Sequence, residues 1–193
     1  MNKFEKVSYE QYKKSSCLDA DLHIEYDDIK LPKRATTGSA GYDFFSPFDF
    51  ELRVGETIKI PTGVRVLLDS DKFLAIYPRS GLGFKYRIQL DNTVGIIDSD
   101  YSQSDNEGHI FIKLTNDGKE NKSININKGD AIAQGIIQQY FITEDDDTTG
   151  RRNGGFGSTD KSYYMIFKLN KPQFWLDKIG VLWYTYNIQY YKR

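Results

Sequence analysis

Between residues 22 and 142 the chain sets short apolar or alternating stretches between Gly, Pro, Asn and Asp: GYDFFS, ETIKIPTGVRVLL, FLAIYP, TVGIID, GHIFIKL, SININ and AIAQGIIQQYF. Stretches this short, broken this often, predict many short strands closed into a sandwich or barrel rather than βαβ units. No apolar period of 3.6 residues is sustained in this region and no useful repeat occurs. The fold class read from the pattern is all-β, with the core spanning 22–143.

The flanks follow other rules. Ser8 and Gln11 have capping-box spacing, which predicts a short helix over YEQYKK within an N-terminal extension at 1–21. Residues 144–160, EDDDTTGRRNGGFGSTD, begin acidic and end glycine-rich, the composition of a flexible arm. Beyond it, SYYMIFKL and VLWYTYNIQYY alternate like strands, the second placing Leu182, Tyr184, Tyr186, Ile188 and Tyr190 on one face.

Composition narrows the function. A chain of 193 residues holds one good core, so one domain with extensions is expected. A net charge of −1 provides no global field for nucleic acid or a membrane surface, and neither is expected as a partner. The balance is uneven, since the aromatic extension at 161–193 holds six of the 26 basic residues and, in Asp177, one of the 27 acidic ones. One cysteine, Cys17, and two histidines, His23 and His109, make neither an internal disulfide nor a soft zinc site. The polar N-terminus and the lack of a long apolar run point to a soluble, cytoplasmic protein.

Candidate chemistry lies in two places. There is no GxxxxGK[ST] loop and no complete dinucleotide fingerprint. Pro78–Gly83, PRSGLG, reads either as a β-turn with an exposed Arg or as a cradle in which an Arg fork, a hydroxyl and glycine-permitted amides converge on phosphate. In LDNTVGIIDSDY at 90–101, Asn92, Asp98, Asp100 and Tyr101 bracket an apolar strand, which a plain hairpin would also explain.

Read together, GSAGYDFFS (38–46), PRSGLG (78–83), DNTVGIIDSDY (91–101), NKGDAIAQ (127–134) and RRNGGFGSTD (151–160) resemble, in order and spacing, the five motifs of trimeric dUTPases. The resemblance covers about residues 22–160. It implies a distorted jelly-roll, the β-clip barrel of dUTPases, and hydrolysis of dUTP to dUMP and pyrophosphate. Asp98 matches the carboxylate that orients and deprotonates the water attacking the α-phosphorus. Arg79, Ser80 and the Gly81 amide match phosphate ligands, Gln134 reaches the phosphate chain, and Arg151 with Gly157 and Ser158 closes over the β- and γ-phosphates. Asn92 matches the residue facing uracil, Tyr101 the ring that excludes a ribose 2′-hydroxyl, and Phe156 the aromatic stacking on the base as 144–160 closes as a lid. Mg2+ would arrive on the triphosphate, with Asp43 holding a coordinated water. Each site would draw on all three subunits of a homotrimer.

The chain also departs from that pattern. SQSDNEG at 102–108 is inserted after Tyr101, Ala131 replaces a common basic residue, Arg152 stands at a usual glycine, and Asp160 replaces a final glycine. Residues 161–193 extend past the last motif, either bracing the trimer or, like the insertion, docking a protein partner. Two rival functions share these features: a dCTP deaminase of the same fold, for which no catalytic Glu is evident, and a nucleotide-gated regulatory protein.

Overall fold

A computed structural model describes residues 1–15 and 26–154, with the backbone of residues 173–176 and 182–185. The chain divides into two compact units, Met1–Thr159 and Asp160–Arg193. The first begins with β1 (Lys3–Lys6), α1 (Tyr9–Ser15) and a 3-10 turn at Tyr26–Asp28. Strands β2 (Tyr42–Phe45), β3 (Phe50–Leu52), β4 (Thr57–Pro61), β5 (Val64–Leu67) and β6 (Lys72–Pro78) lead into α2 (Ser80–Tyr86). Then come β7 (Ile88–Leu90), β8 (Gly95–Asp98), a 3-10 turn at Ser99–Gln103, β9 (Phe111–Asn116), β10 (Ile124–Ile126) and β11 (Ala131–Gln139). In the second unit, β12 (Gln173–Leu176) pairs antiparallel with β13 (Leu182–Thr185). β13 falls in the expected alternating stretch, β12 is not among the expected strands, and SYYMIFKL lies outside the described residues.

The first unit is built from antiparallel pairs: a four-stranded sheet in the order β2-β11-β6-β8, a three-stranded sheet β4-β9-β7, and the two-stranded pairs β1-β5 and β3-β10. This is the all-β architecture expected from the pattern. Leu74, Ala75 and Ile76 of β6 are consecutive and all buried, so this strand is covered on both faces and sits centrally. β9 instead alternates, with Ile112, Leu114 and Asn116 inward and Lys113 outward. Each fully buried Ile or Leu contributes roughly 1.5–3 kcal/mol. A bulge between Ala131 and Ala133 shifts β11 and brings Gln134 opposite Asp43 on one side and Tyr77 on the other. Next to it, Gly135 lets the sheet pack closely: a Cβ there would meet Leu74 Cδ1 and Phe44 Cε2, both at 2.9 Å.

Residues 3–15 are part of this body. β1 pairs with β5, and Val7 and Tyr12 are buried in the core. The helix expected over YEQYKK forms as α1, and the Gln11 amide donates to Ser8 Oγ at 3.1 Å. The reciprocal half of the capping box is absent: the Ser8 N–H donates to Glu107 Oε2 at 2.7 Å, and Gln11 Nε2 donates to Ser15 Oγ at 2.6 Å. A second helix, α2, starts inside PRSGLG, where a turn or loop was the expectation. Extended Arg79 precedes it, and Arg87, in the left-handed region at φ 53°, ends it by donating to the Gly83 and Leu82 carbonyls.

Two buried polar side chains join the layers. Asn116 donates to the Leu52 and Lys122 carbonyls, each at 3.0 Å, and accepts from the Gly118 N–H at 3.1 Å, so its desolvation is offset. His109 accepts from the Gly63 N–H through Nε2 at 2.8 Å, while its buried Nδ1 has no hydrogen-bond partner. Burial pushes the His109 pKa down to about 4.

Candidate active site

The register of the four-stranded sheet sends Asp98 and Arg79 to opposite ends of β6. β8 pairs antiparallel with β6, with Phe73 opposite Asp98 and Ile76 opposite Gly95. β8 ends at Asp98, which is extended and precedes the 3-10 turn Ser99–Gln103. That tight turn carries Asp100 and directs Tyr101 inward. Beside it lies a cavity of about 540 Å3 lined by Asn92, Gly95, Asp98, Tyr101, Lys113 and Arg152, among others. Its floor is apolar, from Ile76, Leu90 and Ile112, and its polar groups sit at the rim, the arrangement of a small-molecule site.

Tyr101, Lys113 and Arg152 are each held by partners. The Tyr101 hydroxyl donates to the His109 carbonyl at 3.0 Å and accepts from Asn106 Nδ2 at 2.8 Å; burial raises its pKa, so the phenol is neutral. Asn92 sits where the hairpin turns through Thr93 in the left-handed region at φ 61°. A Cβ on Gly95 would press on Ile76 Cβ at 3.3 Å and meet Asn92 Nδ2 only in ordinary contact at 3.7 Å. Lys113 pairs with Asp91 at 2.5 Å, and that pairing, helped by Thr115, lowers the Asp91 pKa. Arg152 comes in from the arm. Its Nη2 binds Asp98, its Nε donates to Asp100 Oδ1 at 2.7 Å, and its Cζ lies 6.0 Å from the centre of the Tyr101 ring.

The other end of the sheet collects Asp43, Arg79 and Gln134. Arg79 Nε approaches Asp43 Oδ1 at 3.3 Å, and Gln134 Nε2 donates to the Pro78 carbonyl at 3.1 Å. Gly41 packs against Gln134, whose Oε1 would lie 2.7 Å from a Cβ at that position. Ser80 and Gly81 open α2 and are exposed, beside a shallow depression that includes Arg79 and Phe84. Arg151 is exposed, and Phe156, Gly157 and Ser158 lie outside the described residues. No group of three or more His, Cys, Asp or Glu placed to hold a metal occurs among the described residues.

A family model described as dUTPase matches residues 27–160. The chain belongs to the dUTPase family. It is 42% identical over 143 residues to the deoxyuridine 5′-triphosphate nucleotidohydrolase of Haemophilus influenzae, covering 70% of this chain and 90% of that one. The corresponding Lactococcus lactis protein is 37% identical over 134 residues, covering 68% and 88%. The crystal structure of a Streptococcus mutans dUTPase is similar with a TM-score of 0.57 and 27% identity, covering 73% of this chain and 98% of that chain. A dUTPase of Staphylococcus aureus phage phi11 shares the fold at 20% identity and a TM-score of 0.56, covering 78% and 97%. This dUTPase-family chain is therefore a hydrolase of dUTP with the jelly-roll-like β fold of its relatives. No helix among its described residues is long and apolar enough to cross a membrane.

The structure brings Asn92, Asp98 and Tyr101 to one cavity and Asp43, Arg79 and Gln134 to one cluster, a grouping the sequence motifs do not contain. Asn106 and Lys113 have no expected part in the site, and Asp100 is singled out beside the strand without a role. Asn106 belongs to the insertion, where no family pattern marks it. Arg152 is visible in the sequence as a charged residue at a usual glycine position, and that departure is the signal of its contacts.

Proposed function

We propose that this dUTPase-family chain converts dUTP to dUMP and pyrophosphate in a homotrimer, with Asp98 orienting and deprotonating a water for in-line attack on the α-phosphorus. The observation that carries this reading is the convergence of Asn92, Asp98 and Tyr101 on one apolar-floored cavity. The hairpin amide of Asn92 faces the base, and main-chain groups beside it fix uracil over cytosine. The Tyr101 ring, held at its hydroxyl end, lies against the deoxyribose and excludes a 2′-hydroxyl. A carboxylate is a weak base at neutral pH, so the rate depends mainly on placing the water and on neutralising phosphate charge.

Arg79, Ser80, the Gly81 amide and Gln134 supply that neutralisation, and the sheet supports their coming from a different copy of the chain. Asp98 is opposite Phe73, whereas Pro78, opposite Ala133, closes the far end of β6. The six residue-to-residue steps from Phe73 to Arg79 span roughly 20 Å of extended strand. The Arg79 fork and an Asp98-activated water from one chain therefore do not converge on one α-phosphorus. A second copy must bring its phosphate-binding end to the first copy's cavity, and a cyclic trimer closes that arrangement. Arg151, Phe156, Gly157 and Ser158 complete the site from the arm.

Magnesium fits these donors as a passenger of the triphosphate. Asp43, already shared with Arg79, suits a metal-bound water better than direct coordination. The phi11 phage dUTPase coordinates a structural Mg(II) ion. When bound, the cation would neutralise phosphate charge and favour pyrophosphate as leaving group.

Pyrophosphate release with magnesium from dUTP, dCTP, dTTP and UTP tests the reading. Turnover of dUTP alone, lost in Asp98→Asn, is expected. Ammonia release from dCTP, or no turnover of dUTP, overturns it.

A further inference from the structure

The arm enters the cavity of its own chain with a cation that the family pattern does not call for. Arg152 occupies a usual glycine position, yet its side chain is only 19% exposed. Its guanidinium bridges two carboxylates, with Nη2 on Asp98 and Nε on Asp100 at 2.7 Å, and lies over the Tyr101 ring. The neighbouring backbone is anchored independently of that ion pair. Ser104 Oγ donates to the Gly154 carbonyl at 3.2 Å, and the Asn153 amide, with its nitrogen toward Asp105, donates to both carboxylate oxygens at 3.2 Å. Both anchors belong to the SQSDNEG insertion. The added loop and the added arginine thus hold one another in place.

We propose that Arg152 is a displaceable plug of the nucleotide cavity, seated by the insertion, so that substrate binds only by removing the guanidinium from Asp98 and Asp100. The inference rests on the role of Asp98 and Tyr101 in dUTP binding set out above. With Arg152 on it, that Asp98 oxygen is already engaged and its charge countered, and the guanidinium stands over the ring face against which the sugar would lie. An Arg fork on two carboxylates is well satisfied in both geometry and charge, and its release opposes binding. Substrate affinity is therefore set partly by an internal competitor that a glycine at 152 would not provide.

The test is calorimetric binding of a non-hydrolysable α,β-imido analogue of dUTP, with magnesium, to the full chain. Arg152→Ala is expected to tighten binding about tenfold, the equivalent of one partly buried ion pair, with a matching fall in the KM for dUTP. Asp100→Asn, which removes one anchor without touching the proposed base, is expected to tighten it about threefold. Unchanged or weaker binding by Arg152→Ala overturns the plug. A gain in Arg152→Ala with none in Asp100→Asn overturns the two-carboxylate seat. Failure of the wild type to hydrolyse dUTP is a separate result and overturns the functional reading instead.

Discussion

The two ends of the four-stranded sheet are made from the same strands and differ in how far one chain finishes them. At the β8 end, Asp98 and Asp100 find a counter-charge, Tyr101 is buried with its hydroxyl bonded twice, and a cavity forms. At the β2-β11 end, Arg79 touches Asp43 yet its side chain is 41% exposed, and Ser80 and Gly81 face outward beside a shallow depression. One end ties its charges into internal contacts, while the other leaves its donors largely exposed. Under the proposed function, a site split this way makes activity depend on assembly.

The sharpest break in the comparison is chemical. Asp98→Asn removes the proposed base while keeping the shape of the β8 end. Steady-state pyrophosphate release should fall about 10²–10⁴-fold, with the analogue still bound.

The next experiment joins the two ends. Asp98→Asn and Arg79→Ala should each be nearly inactive alone. Unfolded together in equal amounts and refolded, they should recover about one-quarter of wild-type activity if each site takes the two residues from different copies at random. No recovery on mixing would mean that both ends serve one chain's site.

A third test concerns what holds the β8 end. His109, whose carbonyl anchors Tyr101, is buried and neutral, with its pKa down at about 4 from an ordinary 6.5. A depressed folded-state value means that protonation opposes the fold. The contribution is complete above about pH 6.5 and is lost as the pH falls toward 4, roughly 3 kcal/mol in all. Urea denaturation across that window should show the loss, and His109→Gln should flatten the part of the slope due to this residue.

The smallest effect expected is that of Asn106→Ala, which removes one of the two hydrogen bonds at the Tyr101 hydroxyl. A bond of this kind contributes about 1 kcal/mol, so the preference for dUTP over UTP in kcat/KM should relax about fivefold. A variant as selective as wild type would show that ring packing alone holds Tyr101.

Strand content was legible in the sequence because short apolar stretches between turn formers have few other ways to bury themselves. The helix inside PRSGLG was not, since a seven-residue helix has no room for a repeating apolar face. Nor was β1, whose KFEK carries no strong strand signal and forms by pairing with β5. Asn92, Asp98 and Tyr101 were legible as one group because they are close in the chain and flank a single strand.

By itself, then, the sequence determined the all-β class, the five ordered motifs and the residue types able to bind a nucleotide triphosphate, because those depend on local pattern and side-chain chemistry. Only the tertiary structure decided which of those residues share a cavity, because the register of β6 against β8 and β11 sends Asp98 and Arg79 to opposite ends of one sheet. It also decided that Arg152 meets Asp98 across 54 positions of chain, a contact that requires the whole fold between them.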